Sequence, residues 1–250
     1  MKRQAAVSRR SVIRGILVVG ALAIGGCDAF GSRATYRYRL TVEVDTPSGP
    51  RKGSSVIEVT NRALGGLQGE RVDARARGEA VAVDLLGGQT LFALLRSEAG
   101  NVDAAAGYAP SALMPPNTDP EGGAANWIRR VRAMAVIGRS GELPRWRTPI
   151  SPEKEPQSQY PLFVTFRDVN DPKTVERVDP DDFAKSFGFG MSLKRVTVQI
   201  TDDPVTTGLQ KRLNEVGIGP NQGLDRTLGM TANPTLAQQL GYDDFVRNQK

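Results

Sequence analysis

The run from Tyr36 to Asp45 constrains the fold more than any other part of the chain. Tyr36, Tyr38, Leu40, Val42 and Val44 alternate with Arg37, Arg39, Thr41, Glu43 and Asp45. Successive side chains of a strand point to opposite faces, so this segment reads as a half-buried strand with one apolar and one charged side. Thr46 to Pro50 is a turn cluster, and Val56, Ile57 and Val59 mark a hairpin partner. After a glycine-rich loop over Ala63 to Gly69, alternation returns in Arg71 to Arg77 and again in Glu79 to Leu85. Gly87-Gly88 signals a hairpin, and Gln89 to Arg96 follows as an apolar strand. The pattern predicts an antiparallel meander of about five strands.

The character then changes. Ser97 to Gly123 is rich in Ala, Pro, Gly and Asn and reads as an irregular excursion. Ala124 to Ile137 has helical periodicity, with Trp127, Ile128, Val131, Met134 and Ala135 on one face. Arg129, Arg130 and Arg132 fall elsewhere on the wheel and read as a solvated face, with contact to anionic lipid headgroups as the alternative. Residues 141–160 read as a connecting loop. Tyr160 to Phe166 is a buried strand running into a turn at Arg167 to Pro172. Asp179 and Pro180 suit the cap and first position of a short helix that Gly188 ends. Leu193 to Ile200 is another strand, and Thr201 to Pro204 suits the start of a helix through Leu209 and Leu213. These elements predict an α+β fold: the meander, two further strands, and a few short helices packed on one face. One domain is expected over 35–213, and an irregular tail over 214–250 with a short helix after Pro234.

The chain has no histidine, and its one cysteine is Cys27. Intramolecular disulfides are therefore impossible and the fold rests on its core. Zinc sites built on His and Cys, Ser-His-Asp and Cys-His catalysis, and c-type haem attachment are excluded. No dinucleotide fingerprint, Walker A run or nucleophile elbow is present. Five of the 33 basic residues precede Cys27 and no acid does, so 28 basic groups face 27 acidic ones beyond it. That balance gives no field for a polyanion, and no nucleic acid is expected as a partner.

The excess charge belongs to the N-terminus. Ser8-Arg9-Arg10-Ser11-Val12-Ile13-Arg14 resembles a twin-arginine export motif, with Arg9 and Arg10 as its pair. An apolar run from Ile16 to Ile24 follows, too short to span a bilayer comfortably. Ile24-Gly25-Gly26-Cys27 resembles a lipobox. Small residues admit a peptidase between Gly26 and Cys27, and the thiol forms a thioether with diacylglycerol. Residues 1–26 are thus expected to be a cleaved signal peptide and 27–34 a tether. The lipid on Cys27 would anchor the domain in the bacterial envelope, facing the periplasm.

Among the remaining constellations, the acids are the sharpest. Asp168, Asn170, Asp171, Asp179, Asp202 and Asp203 offer oxygen ligands of the kind calcium takes, though each also suits a turn or a helix start. Ser151 and Lys154 match the spacing in which a lysine activates a serine, in a proline-rich context that does not suit it. Arg37, Arg39, Arg71, Arg75 and Arg77 suit one sheet face, where Glu43, Asp45 and Asp73 invite cross-strand ion pairs.

The stretches Thr35 to Val59 and Val164 to Leu213 cover about a third of the chain. They resemble segments of a family of bacterial envelope lipoproteins with no assigned activity. The resemblance implies export and a single fold, and brings no catalytic residue. The reading is a membrane-anchored, non-enzymatic module that binds an envelope protein or supports an assembly. A calcium or small-ligand binder, and then a carboxylate-dependent hydrolase, are the alternatives.

Overall fold

The structure, a computed structural model, describes residues 33–65, 69–115, 122–147, 155–225 and 232–248. Arg9, Arg10, Gly26 and Cys27, and likewise Ser151 and Lys154, lie outside the described residues. In chain order the elements open with strands β1 (Arg33–Asp45), β2 (Arg51–Leu64), β3 (Arg71–Glu79), β4 (Val81–Asp84) and β5 (Thr90–Ser97). Helices α1 (Tyr108–Leu113) and α2 (Gly123–Met134) follow. Next come β6 (Ser140–Glu142), β7 (Trp146–Arg147), β8 (Gln157–Ser158), β9 (Pro161–Phe166) and β10 (Val175–Arg177). The chain ends through α3 (Phe183–Phe187), β11 (Ser192–Thr201), α4 (Leu209–Glu215), α5 (Leu236–Gln239), α6 (Tyr242–Phe245) and β12 (Val246–Arg247).

The fold is α+β with antiparallel sheets. A six-stranded sheet has the order β12-β3-β2-β1-β11-β6, and a four-stranded sheet the order β10-β9-β5-β4. The meander runs through β3 only. After Glu79 the chain crosses to the second sheet, where β4 pairs with β5 and β5 with β9. Ala80 sits at the crossing and donates its N–H to the Phe245 carbonyl at 2.7 Å.

Both faces of the second sheet are buried, which explains why β5 and β9 are apolar without alternation. Leu91, Ala93, Leu95 and Phe163 join Tyr38, Leu40, Val42, Val44, Ile57 and Val59 in one core. Ile128, Val131 and Met134 of α2 and Phe183 of α3 close the same core. Phe92, Leu94, Leu162 and Val164 point the other way, into a second core with Leu209, Leu213, Leu240, Tyr242 and Phe245. Phe92 meets Phe166 and Phe245 edge-on, at 5.7 Å between ring centroids in each case. The segment expected as an irregular tail is therefore structural: its two short helices and β12 cover the second sheet. Its apolar residues are too widely spaced to show a period, because they pack on β5 and β9 rather than on each other.

Several boundaries differ from expectation for local reasons. The excursion after Ser97 holds α1, whose Tyr108 hydroxyl donates to the Arg96 carbonyl at 3.1 Å. Helix α2 stops at Met134, three residues short of the expected end, and a turn follows. The cap of α3 is Asp182, whose carboxylate accepts from Lys185 N at 3.1 Å; Asp179 instead accepts from Asp181 N at 2.9 Å in the preceding turn. Thr201 to Pro204 opens no helix, because Asp203 bonds Thr201 and Arg39, and Thr206 pairs with the β2 backbone at Val56. Helix α4 starts at Leu209 and is capped from afar. The buried Glu79 carboxylate accepts from the N–H groups of Gly208, Leu209 and Gln210 at 3.1, 2.8 and 3.3 Å.

Candidate functional site

The acidic residues do not converge. Asp168, Asn170 and Asp171 form the turn between β9 and β10, where Asp168 Oδ1 accepts from Asn170 N at 2.9 Å and Asp171 Oδ1 from Lys173 N at 3.1 Å. Asp202 lends its carbonyl to Arg37. The Asp203 carboxyl is held below the ordinary aspartate value, by its hydrogen bond from Thr201 first and that from Arg39 second. Each acid thus serves its own turn or strand. Among the described residues no group of three or more carboxylates is arranged to hold a metal ion. Two carboxylates, Glu98 and Asp181, share one arginine. Arg145 lies between them, 3.5 and 2.7 Å from their oxygens, with Trp146 and Tyr160 against its guanidinium. Two acids bridged by a cation answer each other's charge through it, not through a substrate.

The arginine face is real, and its register is ordered. On the outer side of the six-stranded sheet, Arg33, Arg62 and Asp73 stand in one row across β1, β2 and β3. Thr35, Thr60 and Arg75 form the next row, and Arg37, Glu58 and Arg77 the third. Arg37 Nε and Arg77 Nη2 reach the two oxygens of Glu58 at 2.8 and 3.1 Å, and Arg75 reaches Asp73 at 2.9 Å. Burial alone would raise the Glu58 carboxyl, but the hydrogen bonds and charges of Arg37 and Arg77 outweigh it and hold the group below its ordinary value. Glu58 is the acid that sequence reasoning missed, since only the register places it between two arginines. Arg33, Arg62 and Arg71 make no ion pair among the described residues. A groove of about 280 Å³ runs over this surface, lined by Arg33, Arg62, Arg75, Arg77, Glu58 and Asp73 among others. The positive end of the face is the end where β1 begins.

No family model, curated protein or solved structure matches this chain.

The opposite end of β1 carries a different feature. Phe189 is 98% exposed, the most open large apolar residue among those described. Gly188 and Gly190 flank it with φ of +97° and +82°, values that side chains other than glycine's resist. A Cβ on Gly190 would come within 2.9 Å of Pro47, so the turn is seated against the β1–β2 connection. Phe187 packs on Phe183 at 5.8 Å, and Met191 is buried. The loop is thus anchored by an aromatic and a methionine on either side and projects a single ring. Leaving that ring in water forgoes about 1.5–3 kcal/mol of burial. Lys185, Arg51 and Lys52 are exposed at the same end of the sheet. The sequence signal was a lone Phe between two glycines, and nothing local reveals that Met191 after it is buried and Phe187 before it packs on Phe183.

Proposed function

We propose that the protein is a lipid-anchored envelope module that binds a protein partner without acting on it chemically. Cys27 carries the anchor, Arg9 and Arg10 belong to the export signal, and the domain faces the periplasm. The sequence order of paired arginines, apolar run and lipobox supports the anchor. The binding role is carried by one observation: the outward Phe189 ring on a braced Gly-Phe-Gly turn. An exposed aromatic on a pre-ordered loop is the kind of anchor that dominates protein interfaces, because little entropy is lost when it docks. The exposed cations beside it favour an apolar pocket with an acidic rim on the partner.

The two parts of the reading are tested separately. Cys27→Ser should abolish lipid labelling and release the processed domain from membranes; a variant still labelled and still membrane-bound overturns the anchor. A photo-crosslinking amino acid at position 189 should give a discrete adduct in living cells. The same group at Val169, which is 52% exposed, should not. Equal, diffuse labelling at both positions overturns the docking role of Phe189.

A further inference from the structure

Helix α2 lies along the end of the six-stranded sheet from which the tether leaves. Glu70, just before β3, accepts from Ala124 N at 3.1 Å near the helix start. Trp127 Nε1 donates to Asn61 of β2 at 3.0 Å, and Arg132 Nη2 donates to the carbonyl of Arg33, the first residue of β1, at 2.7 Å. The helix therefore crosses from β3 past β2 to β1. Its inner stripe is Ile128, Val131 and Met134; its exposed stripe is Ala125, Arg129, Arg132 and Ala133.

The turn after α2 exposes two consecutive aliphatic residues, Val136 at 55% and Ile137 at 66%. They are not loose ends. Gly138 N bonds the Ile200 carbonyl at 2.9 Å, and Ile200 N bonds the Arg139 carbonyl at 2.8 Å, which fixes the turn to β11. From Gly122 to Gly141 the chain carries four arginines, Arg129, Arg130, Arg132 and Arg139, and no acid. Arg33 and Arg62 stand opposite each other in register at the same end, without ion pairs among the described residues. This end thus carries Arg33, Arg62 and the four arginines of 122–141 against the acids Glu70, Asp73 and Asp202, a net cationic surface with two bare aliphatic side chains.

Arg33 lies six residue steps beyond Cys27. Fully extended, they span about 20 Å. We propose that the α2 face and the Val136–Ile137 turn seat this end of the domain on an anionic lipid surface. The arginines meet headgroup phosphates while Val136 and Ile137 enter the boundary between headgroups and acyl chains. This rests on the anchor at Cys27 for its orientation: the short stretch of chain between Cys27 and Arg33 lets an acyl chain there bring the end of β1 that carries Arg33 to the bilayer. The Phe189 end lies beyond the far end of β1, a 13-residue strand. At the usual rise that is about 40 Å away, so the partner-docking tip points from the lipid.

Among the described residues the buried core runs from Ala34 to Val246, and Gly31–Lys250 is one compact unit, so residues 31–250 carry their own core and fold without the lipid. This unlipidated domain should bind vesicles of phosphatidylcholine with phosphatidylglycerol and leave pure phosphatidylcholine vesicles alone. Val136→Ser with Ile137→Ser, and separately Arg129→Glu with Arg139→Glu, should each weaken that binding about tenfold. Arg51→Glu with Lys52→Glu, at the far end, should change it less than about twofold. Thermal melts check that each variant is folded. No binding to the anionic vesicles, equal loss from the far-end pair, or a dimer in solution that the Val136 and Ile137 changes dissolve would each overturn the seat. Lipid labelling of Cys27 in the full chain judges the anchor by itself, so the failure of one reading is distinguishable from failure of the other.

Discussion

Glu58 and Glu79 show how single carboxylates set this structure. Glu58 is held below its ordinary value by two arginines, so its folded form favours the charged state. A depressed carboxylate contributes stability above the unfolded value near 4.5 and loses it as pH falls through the folded value. Glu58→Gln should therefore cost about 1 kcal/mol at neutral pH, and the difference from the parent should vanish in acid. Urea melts of both proteins across pH 3–7 would show a constant difference if this pairing does not matter. Asp244 runs the opposite way. Burial raises its carboxyl despite the bond from Gly241 N and the charge of Arg96, so its contribution falls as pH rises through the folded value. Three tyrosines also act as residues rather than as surface. The hydroxyl of Tyr38 donates to the Ala105 carbonyl at 2.6 Å, and burial pushes its ionisation far above the ordinary range. Apart from Gly241, three residues from Asp244, these partners lie far apart in sequence, which is why residue types and spacing did not reveal them.

Elements differ in how far their own sequence explains them. Strand β1 was legible because one side faces a core and the other faces water, so its alternation is complete. Strands β5 and β9 were legible as buried, but the identity of what buries them was not. Their outer faces depend on a segment some fifty residues beyond β9, whose helices α5 and α6 are four residues each. Helices this short have no stability of their own. They exist because Leu240, Tyr242 and Phe245 fill the second core. Deleting residues 216–250 should leave Phe92, Leu94, Leu162 and Val164 bare, and the product should bind a hydrophobic dye and lose its near-ultraviolet dichroism. A truncated domain with a parent-like cooperative melt would show that the segment is dispensable after all. Helix α4 makes the same point at its other end. Its cap comes from Glu79, over a hundred residues earlier, so the local Asp-rich run before it was a false start signal.

At the scale of the whole molecule, exposed cations stand at both ends of β1, and the apolar exposure at the two ends differs in kind. One end gathers Arg33, Arg62 and the α2 arginines with Val136 and Ile137; the other projects Phe189. Because Phe189 touches no core, Phe189→Ser should change stability by less than about 0.5 kcal/mol while removing the docking anchor. A drop of several kcal/mol in a denaturant melt would mean that the ring packs against the fold in solution and is not free to bind. The acidic residues that the sequence singled out converge at neither end: Asp168, Asn170, Asp171, Asp179 and Asp203 bond within turns or to neighbouring strands, and Asp202 lends its backbone carbonyl to Arg37.

What the sequence by itself determined is local and one-dimensional: strand periodicity in β1 to β3, the apolar runs of β5 and β9, the turn chemistry, and the chemistries that a chain without histidine and with one cysteine cannot perform. These follow from side-chain spacing and composition, which need no partner to be read. Only the tertiary structure decided that the strands divide into two sheets, that the C-terminal segment closes a second core, and which end of the sheet gathers the α2 arginines and which bears a bare aromatic ring. Those outcomes depend on contacts between residues far apart in the chain, and burial and pairing energies exist only once both partners are in place.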